Sequence, residues 1–463
     1  MIEELDIHNQ FRESLDRFKI FDPHLKKLTS LKFVYRSNLL HEKSLLLPGI
    51  FVITGGRQIG KTTFLKQLIV KWLEEGLFSS DNIFFITGEL IDTHHTLRRI
   101  INSFHKTGNK QALFIDEVNY IPDWDKTIKY IADAGLTENM SIILTGSDNQ
   151  IIKTSMKRFA GRRGMADSVD YEYFPLSFLE TAELLHPDSR EALKTISESS
   201  LTESNLLYQE YHEVLHTLFS HYLIHGGFLP AINAFYSSSE IPRAIFTIYT
   251  HWIVGDFLKY NKSENYLNEV LQGIKKTYGS RVSWTTLAKH LSIEHHKTVS
   301  DYCHILQDMN VLHIQEAVLE DKLTGAPKKN KKLHFRDPFI SHAASVYLYN
   351  ADFKTISAKL ASPEYVSLLV ESVCIDHCKR RFPTYYIAGR KGEVDLAVIS
   401  NGNLLPIEVK WTAQLRPEEL KQIALYKNGL ILTKGKEIQV LGNNKTVPLL
   451  QFLLQVSNGT ILL

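Results

Sequence analysis

A glycine-rich stretch around residue 55 carries the clearest chemical pattern in this chain of 463 residues. It fits G-x-x-x-x-G-K-[ST], follows an apolar run and opens a helical pattern. Such glycines let backbone N–H groups curve around phosphates at a helix N-terminus, where Lys61 reaches the β and γ phosphates and the Thr62 hydroxyl ligates Mg²⁺. We therefore predict a nucleotide-phosphate loop. Its expected members are Gly55, Gly56, Arg57, Gln58, Ile59, Gly60, Lys61, Thr62 and Thr63.

Two carboxylates end a later apolar run, ALFIDE at residues 112–117. Asp116 is predicted to hold Mg²⁺ through water, and Glu117 to polarise the water that attacks the γ-phosphate. Such a pair favours hydrolysis over nucleotide binding alone, so we predict that Glu117 and Lys61 are catalytic. The alternative is a pair of acids that caps an exposed strand end.

Two further segments supply polar groups that suit the same reaction. LTGSDN, at 144–149, ends the next apolar run, and Ser147 is the predicted sensor of the γ-phosphate. Since Ser, Asp and Asn also form turns for local reasons, an ordinary turn is the alternative. RFAGRRG, at 158–164, offers guanidinium groups. Arg162 is predicted to stabilise transition-state charge in the site of a neighbouring subunit, with a solvated basic turn as the alternative.

A second set of acids, with a lysine, lies between residues 393 and 410. Asp395 and Glu408 belong to two neighbouring apolar runs, EVDLAV and LPIEVK, and Lys410 leaves its strand on the same face as Glu408. Two carboxylates that bind one or two Mg²⁺, beside a lysine that positions water, suit phosphodiester hydrolysis. The sequence thus predicts a second metal-dependent site.

Composition and charge exclude several classes of protein. The hydrophobic, charged and aromatic fractions of 44%, 22% and 11% exclude fibrous and wholly disordered chains. A net charge of +2 means that any affinity for nucleic acid must come from local patches. Cys303, Cys374 and Cys378 lack zinc-ligand pairing and suit a reducing compartment. Because no apolar run is long enough to span a bilayer, we expect a cytoplasmic protein with no membrane association.

The order of apolar runs and helical patterns predicts an α/β chain of five parts. An N-terminal arm, 1–48, precedes alternating strands and helices over 49–180, the pattern of a parallel sheet with crossover helices. Residues 181–260 are expected to form a helical lid. Short helices and a hairpin predict a winged helix-turn-helix over 261–345, and 346–463 reads as a smaller α/β module that includes a helix over 417–426.

Several segments together resemble a known group. GGRQIGKTT, ALFIDE, ILTGSD, RFAGRR, YFPLSFLE and YLIHGGFLP are similar to the AAA+ superfamily ATPases of bacteria and archaea that carry a nuclease-related C-terminal domain of unknown function. The resemblance implies ATP and Mg²⁺ as cofactors and a homo-oligomer, ring-like, with ATP at subunit interfaces. Relatives read Gly-Gly-aromatic-Pro in the lid, whereas Gly226 to Pro230 here has one extra residue before the proline.

The C-terminal acids carry a resemblance of their own. Asp395, Glu408 and Lys410 look like the site of the PD-(D/E)XK nuclease superfamily. That resemblance implies Glu371, on the preceding helix, as a further acid. It also implies that Gln422 and Tyr426, on one helix face, form the Q-x-x-x-Y motif of RecB-type members. Cleavage of DNA, clamping of DNA and a purely architectural role all fit such a module.

Lysines near the hairpin bear on the partner. Lys328, Lys329, Lys331 and Lys332 are predicted at the wing tip in contact with DNA phosphates, and a solvated turn is the alternative. The leading prediction is an ATP hydrolase that acts on DNA as an oligomeric translocase, remodeller or ATP-regulated nuclease. The alternative is a nucleotide-controlled switch whose winged helix and C-terminal module bind proteins.

Overall fold

Parallel strands joined by helices build the first of two units in the chain. The computed structural model describes residues 5–159, 161–412, 414–459 and 461. Its units are Met1–Phe174 and Pro175–Leu463. The strands of the first unit are β1 (Gly49–Thr54), β2 (Ile83–Thr87), β3 (Gln111–Asp116), β4 (Met140–Gly146) and β5 (Asp170–Glu172). They pair in parallel in the order β2-β3-β4-β1-β5, which confirms the predicted α/β class and parallel sheet.

The central strands of this sheet are buried on both faces, as their continuous apolar runs predict. Ile50 and Val52 belong to one core cluster, whereas Phe51 and Ile53 belong to another, because successive residues of a strand point to opposite faces. Helices cover the sheet. They are α1 (Leu15–Phe21), α2 (Pro23–Leu28), α3 (Lys61–Glu74), α4 (His94–Phe104), α5 (Trp124–Asp133) and α6 (Asn149–Met156).

The N-terminal segment packs on the sheet through both apolar and ionic contacts. Phe11 and Phe18 join the core cluster that contains Phe51. Asp22 accepts hydrogen bonds from the first turn of α2 and pairs with Lys66 of α3 at 2.7 Å, both side chains being fully buried. These contacts fix the helix that follows the glycine-rich stretch.

Helices dominate the first part of the second unit. They are α7 (Phe178–Leu185), α8 (Arg190–Glu198), α9 (Leu201–His225), α10 (Leu229–Ser238) and α11 (Arg243–Lys259). Ser177 and Ser200 form capping boxes at the starts of α7 and α9. The segment expected to form the lid is thus helical, and its role as a lid stays a prediction. It is tied to the C-terminal helix, since Gln451 donates to the Leu201 carbonyl at 2.7 Å.

Three helices and an antiparallel strand pair follow. Their bounds are α12 (Glu264–Lys276), α13 (Trp284–Lys289), α14 (His296–Asp308), β6 (Leu312–Glu316) and β9 (Lys331–Phe335). A small hairpin of β7 (Val318–Leu319) and β8 (Thr324–Gly325) lies between the paired strands. Ser283 accepts the Thr286 N–H and caps α13. The winged helix-turn-helix over 261–345 rests on this order of elements and stays a prediction.

A mixed six-stranded sheet forms the C-terminal module. It follows α15 (Pro338–Tyr349), α16 (Phe353–Lys359) and α17 (Pro363–Lys379), and α18 (Leu449–Ser457) packs beside it. The strands are β10 (Thr384–Gly389), β11 (Gly392–Ser400), β12 (Asn403–Lys410), β13 (Leu430–Thr433), β14 (Gln439–Leu441) and β15 (Asn444–Pro448). Their order is β10-β11-β12-β13-β15-β14, with β12, β13 and β15 parallel.

One predicted helix of this module is wrong. Residues 417–426 form two 3₁₀ turns, Pro417–Leu420 and Ile423–Leu425, instead of one α-helix. The side chain of Gln422 is buried, where its Oε1 accepts the Lys391 N–H at 3.0 Å, and this contact holds the chain between the turns. Gln422 and Tyr426 therefore do not share a helix face.

Candidate functional site

The glycine-rich loop, residues 55–62, joins β1 to α3. Gly60 has a φ of 99°, a conformation that side-chain-bearing residues rarely adopt. A Cβ at Gly55 would meet the Tyr173 carbonyl oxygen at 2.3 Å. The two glycines thus allow the chain to turn tightly from strand to helix.

Lys61 points back into this loop. Its Nζ donates to the carbonyls of Gly55 and Gly56 at 3.0 and 2.8 Å, and lies 3.5 Å from Glu117 Oε1. Burial lowers the pKa of Lys61, and the charges of Glu117 and Asp116 offset this only in part. The nearby carboxylates therefore do not fully compensate the cost of burying the charged ammonium group of Lys61.

Asp116 joins the loop to the neighbouring strand. Its Oδ2 accepts the Thr62 hydroxyl at 2.7 Å, and its Oδ1 accepts the Thr145 hydroxyl at 2.5 Å. Burial raises the pKa of Asp116, against these two hydrogen bonds. Thr145 is a contact that the sequence reasoning missed, although it stands two residues before Ser147 in the same motif.

The backbone of Glu117 is in the left-handed conformation, with a φ of 49°. Such strained conformations are frequent at functional sites. The N–H of Glu117 donates to Thr145 Oγ1 at 3.0 Å. Its carboxylate Oε2 accepts the Ser147 hydroxyl at 2.8 Å and the Ser147 N–H at 3.2 Å. Residues predicted as base and sensor are therefore in direct contact.

The remaining predicted loop residues surround this centre. Arg57 donates to the Tyr120 hydroxyl at 3.0 Å, Gln58 is exposed with a φ of 59°, and Ile59 packs against the core. Gly56 supplies a carbonyl to Lys61, and Thr63 lies half-buried in the first turn of α3. These residues complete the loop around Lys61 and Thr62.

Arg162 lies elsewhere in the first unit. It forms an ion pair with Asp133, the last residue of α5, and both side chains are about half exposed. Ala160, in the same motif, lies outside the described residues. Because the predicted role requires a neighbouring subunit, this contact within one chain does not test it.

The donor set at the loop fits Mg²⁺. The Thr62 hydroxyl and the Asp116 carboxylate are hard oxygen ligands placed side by side at the end of the loop. Magnesium at nucleotide sites is held by one or two such groups together with phosphates and water. Thr62 and Asp116 are the residues that would hold the ion.

The C-terminal site brings the predicted residues onto two paired strands. Asp395 lies on β11, whereas Glu408 and Lys410 lie on β12. Asp395 Oδ2 accepts the Val409 N–H at 2.9 Å, and Lys410 Nζ lies 2.9 Å from Glu408 Oε1. Burial and the charge of Asp395 raise the pKa of Glu408. The structure therefore assembles the acids and the lysine.

A residue from another part of the chain joins them. Lys332, on β9, places Nζ 2.6 Å from Glu371, 3.3 Å from Glu393 and 3.6 Å from Asp395. Burial alone would lower the pKa of Lys332, but the three carboxylates outweigh it and raise the pKa. We name Glu371, Glu393, Asp395 and Glu408 the carboxylate cluster.

The expected position of two wing lysines is wrong. Lys332 is 1% exposed because it is paired inside the carboxylate cluster, and Lys331 is 6% exposed because its Nζ donates to the carbonyls of Pro327 and Lys329. Neither is available to a phosphate. Lys328 and Lys329 are exposed in the turn before β9, as predicted.

The other nuclease-like residues lie outside the cluster. Gln422 contacts the β10–β11 turn through Lys391, and Tyr426 donates to Glu320 at 2.9 Å. Among the residues that the structure describes, no group of three or more His, Cys, Asp or Glu side chains is arranged to hold a metal ion. Lys332 already pairs with acids of this site, so the residues present do not fit the divalent metal that the predicted nuclease would need.

Asp337 is a further buried acid that the sequence did not indicate. It caps α15 by accepting the Phe339 N–H at 2.7 Å and accepts the Gly227 N–H at 2.9 Å. Burial raises the pKa of Asp337 to about 7. The Gly-Gly segment of residues 226–230 is thus anchored within the second unit.

Comparison with known families supports the first of the two sites. Residues 48–182 match the AAA domain family, and residues 216–350 match a domain of unknown function. The region that holds the glycine-rich loop, Asp116 and Glu117 is therefore similar to an AAA domain. The remainder of the chain, including the carboxylate cluster, gains no function from these matches.

Individual relatives are distant. An uncharacterized protein of Methanocaldococcus jannaschii is 28% identical over 161 residues, which are 34% of this chain and 33% of that protein. The chain thus spans about a third of the curated relative that it matches. A Walker-type ATPase of Pyrococcus abyssi aligns over 66% of this chain and 93% of its own, at 14% identity and a TM-score of 0.42. The ORC1 protein of Aeropyrum pernix, solved in complex with DNA, aligns over 71% and 96%, at 11% identity and a TM-score of 0.31.

Two other sequence predictions concern the whole chain. In the described part of the protein, no helix combines the length and apolar character needed to cross a bilayer. Cys303, Cys374 and Cys378 are buried and free, and Cys374 and Cys378 lie on α17.

Proposed function

We propose that the protein is an Mg²⁺-dependent ATP hydrolase that acts on DNA as an oligomeric translocase or remodeller. The observation that carries the proposal is the network at the end of the parallel strands, where Asp116 holds Thr62 and Ser147 holds Glu117. Matching of residues 48–182 to the AAA domain family supports it.

Each residue of the network has a distinct task. Lys61 exchanges the loop carbonyls for the β- and γ-phosphates, which meets its unsatisfied demand for negative charge. When bound, Mg²⁺ neutralises charge on those phosphates. Glu117 orients the attacking water, and Ser147 moves its hydroxyl from Glu117 to the γ-phosphate, so the sensor releases the base only when nucleotide is present.

The steady-state rate of phosphate release tests the proposal. Rates are measured with Mg²⁺ and ATP, with and without single-stranded, duplex and branched DNA. Lys61→Ala is the inactive blank, and Lys71→Ala, an exposed change on the same helix α3, is the matched control. Stimulation by one DNA form agrees with the proposal. A rate that equals the Lys61→Ala blank contradicts hydrolysis, and one unchanged by every DNA contradicts the DNA part.

The oligomer and the role of Arg162 are tested together by mixing variants. Lys61→Ala and Arg162→Ala are each expected to be inactive. In a mixed oligomer, an Arg162→Ala subunit retains an intact loop and a Lys61→Ala neighbour supplies its arginine. Partial recovery of activity on mixing supports an arginine that acts between subunits, whereas no recovery at any ratio contradicts it.

A second function is favoured by the pairing of Lys332. A nucleotide-controlled switch that binds protein partners needs no metal in its nuclease-like module, and three acids of the carboxylate cluster already have Lys332 as a cationic partner. The DNA titration above separates the two functions, because the switch requires no DNA response.

A further inference from the structure

Lys332 meets three carboxylates inside the second unit. Its Nζ lies 2.6 Å from Glu371 Oε1, 3.3 Å from Glu393 Oε1 and 3.6 Å from Asp395 Oδ1. Its ammonium donates hydrogen bonds to Glu371 and Glu393 and lies within ion-pair distance of Asp395. Lys332 is only 1% exposed, so these contacts are shielded from solvent.

The neighbouring lysine shows that this contact is specific. Lys331 is also buried, yet its Nζ donates to the backbone carbonyls of Pro327 and Lys329 and to no carboxylate of the cluster. Strand alternation sends the two side chains to opposite faces of β9. Only the face of Lys332 meets helix α17 and strand β11.

The cluster retains an unsatisfied oxygen. Oε2 of Glu408 is buried and has no hydrogen-bond partner, while Oε1 pairs with Lys410. Asp395 Oδ1 lies 3.6 Å from Lys332 Nζ, and its Oδ2 accepts the Val409 N–H of the strand that carries Glu408. A cation bound at Asp395 would also provide a partner for Glu408 Oε2, which has none within the protein.

We propose that Lys332 is the resident cation of the carboxylate cluster. Its ammonium excludes a divalent metal from Asp395 and Glu408, and its removal converts the cluster into a divalent-cation site. Magnesium binds carboxylate oxygens at about 2.0–2.1 Å, so it would have to share the space that the ammonium occupies. As folded, the carboxylate cluster therefore holds no catalytic metal. This inference does not depend on the ATP site.

The test is Mn²⁺ binding to the full chain without nucleotide, followed by electron paramagnetic resonance. The proteins are the wild type, Lys332→Met, Lys331→Met as the matched control, and Lys332→Met combined with Asp395→Asn. Lys332→Met is expected to bind Mn²⁺ at least about tenfold more tightly than the wild type, because a cation at close range no longer repels the metal. The control is expected to match the wild type, and Asp395→Asn to remove the gain.

Two outcomes overturn the proposal. If Lys332→Met folds but binds Mn²⁺ no more tightly than the wild type, the ion pairs of Lys332 have only a structural role. Wild-type Mn²⁺ binding as tight as that of Lys332→Met shows that the ammonium excludes nothing. Where Lys332→Met does not fold, the wild type decides: Fe²⁺ with ascorbate cuts a backbone beside bound iron. Cuts next to Asp395 or Glu408 overturn the proposal, and their absence agrees with it.

Discussion

Lys61 and Lys332 are both buried lysines, 4% and 1% exposed, yet their pKa values move in opposite directions. Burial lowers that of Lys61, and Glu117 and Asp116 restore it only in part. For Lys332 burial also acts to lower the pKa, but Glu371, Asp395 and Glu393 outweigh it. The carboxylates near Lys61 do not offset the effect of burial on its pKa, whereas those near Lys332 do.

This difference distinguishes the nucleotide loop, where Lys61 can gain a negatively charged ligand, from the carboxylate cluster, where Lys332 is already paired with acids of the same chain. Lys61 rests on two carbonyls of its own loop, which phosphates can replace with full charges. Lys332 is held by three carboxylates that a ligand would have to displace. A motif of the right residue types therefore does not by itself indicate an open site, because the neighbouring charges decide whether the site is already satisfied.

The largest expected effect is on catalysis. Lys61→Met should reduce ATP hydrolysis by roughly 10²–10³-fold or more, since it removes a charge that stabilises the transition state. Lys332→Met should leave the rate per folded molecule within about twofold, because it touches no residue of the nucleotide loop. Phosphate release under saturating ATP measures both. Equal losses in the two variants would contradict the comparison.

The next effect is on stability. Lys332→Met should lower the free energy of unfolding of the second unit by about 3–5 kcal/mol, because it leaves buried carboxylates unpaired. Lys331→Met, its control, should cost under about 1 kcal/mol, since it removes hydrogen bonds to carbonyls only. Urea unfolding, with hydrogen exchange of peptides from β9 and α17, measures the loss. A small loss for Lys332→Met would mean that its ion pairs barely exceed their desolvation cost.

The same substitution at Lys61 should act in the opposite sense. Without nucleotide, Lys61→Met is expected to raise the stability of the first unit by about 1 kcal/mol, as replacement of a strained functional residue often does. Hydrogen exchange of α3 and β1 measures this change. A clear loss would show that the carbonyls of Gly55 and Gly56 satisfy the ammonium after all.

The pH dependence gives a finer separation. Where the folded pKa of Lys61 is below its unfolded value of 10.5, the unfolded chain holds a proton that the folded chain lacks. Wild-type stability then rises with pH by up to about 1.4 kcal/mol per unit in that interval. The increase in unfolding free energy that Lys61→Met causes should therefore become smaller as the pH approaches 10.5.

For Lys332 the sign reverses. Its folded pKa is above the unfolded value, so its stabilisation is complete below pH 10.5 and is lost only above it. The titration of Lys332 itself therefore adds no pH dependence between pH 7 and 10. The loss caused by Lys332→Met should nevertheless grow with pH in that interval, because burial already raises the pKa of Glu371 to about 7 and removal of the ammonium raises it further. A loss that shrinks as the pH rises, measured by urea unfolding at each pH, would contradict the assigned pairing.

The smallest effect concerns the lysines that remain exposed. Lys328→Ala with Lys329→Ala should lower the slope of log K against log salt for DNA by roughly 1–2, because each phosphate contact releases about one counterion. Lys354→Ala, exposed on α16, is the control and should leave the slope unchanged. An unchanged slope in the double variant would show that Lys328 and Lys329 do not contact DNA phosphates.

The sequence alone determined the nucleotide centre and the class of the fold. The loop needs only contiguous glycines, a lysine and a threonine between a strand and a helix, so local rules place Gly60, Lys61 and Thr62. Asp116 and Glu117 end a buried parallel strand, and parallel strands share one carboxyl edge. Continuous apolar runs predicted that sheet for the same reason, since both of its faces are covered.

Only the tertiary structure decided the state of the C-terminal site. The acids and Lys410 are predictable from two short runs, but Lys332 stands over sixty residues before Asp395 in the sequence and joins it through packing of β9 against α17 and β11. Its basic neighbours made it look like part of an exposed turn. Likewise, the buried amide of Gln422 replaced a helix that local periodicity predicts. Burial and long-range charge pairing depend on which segments meet, and local sequence pattern does not contain that information.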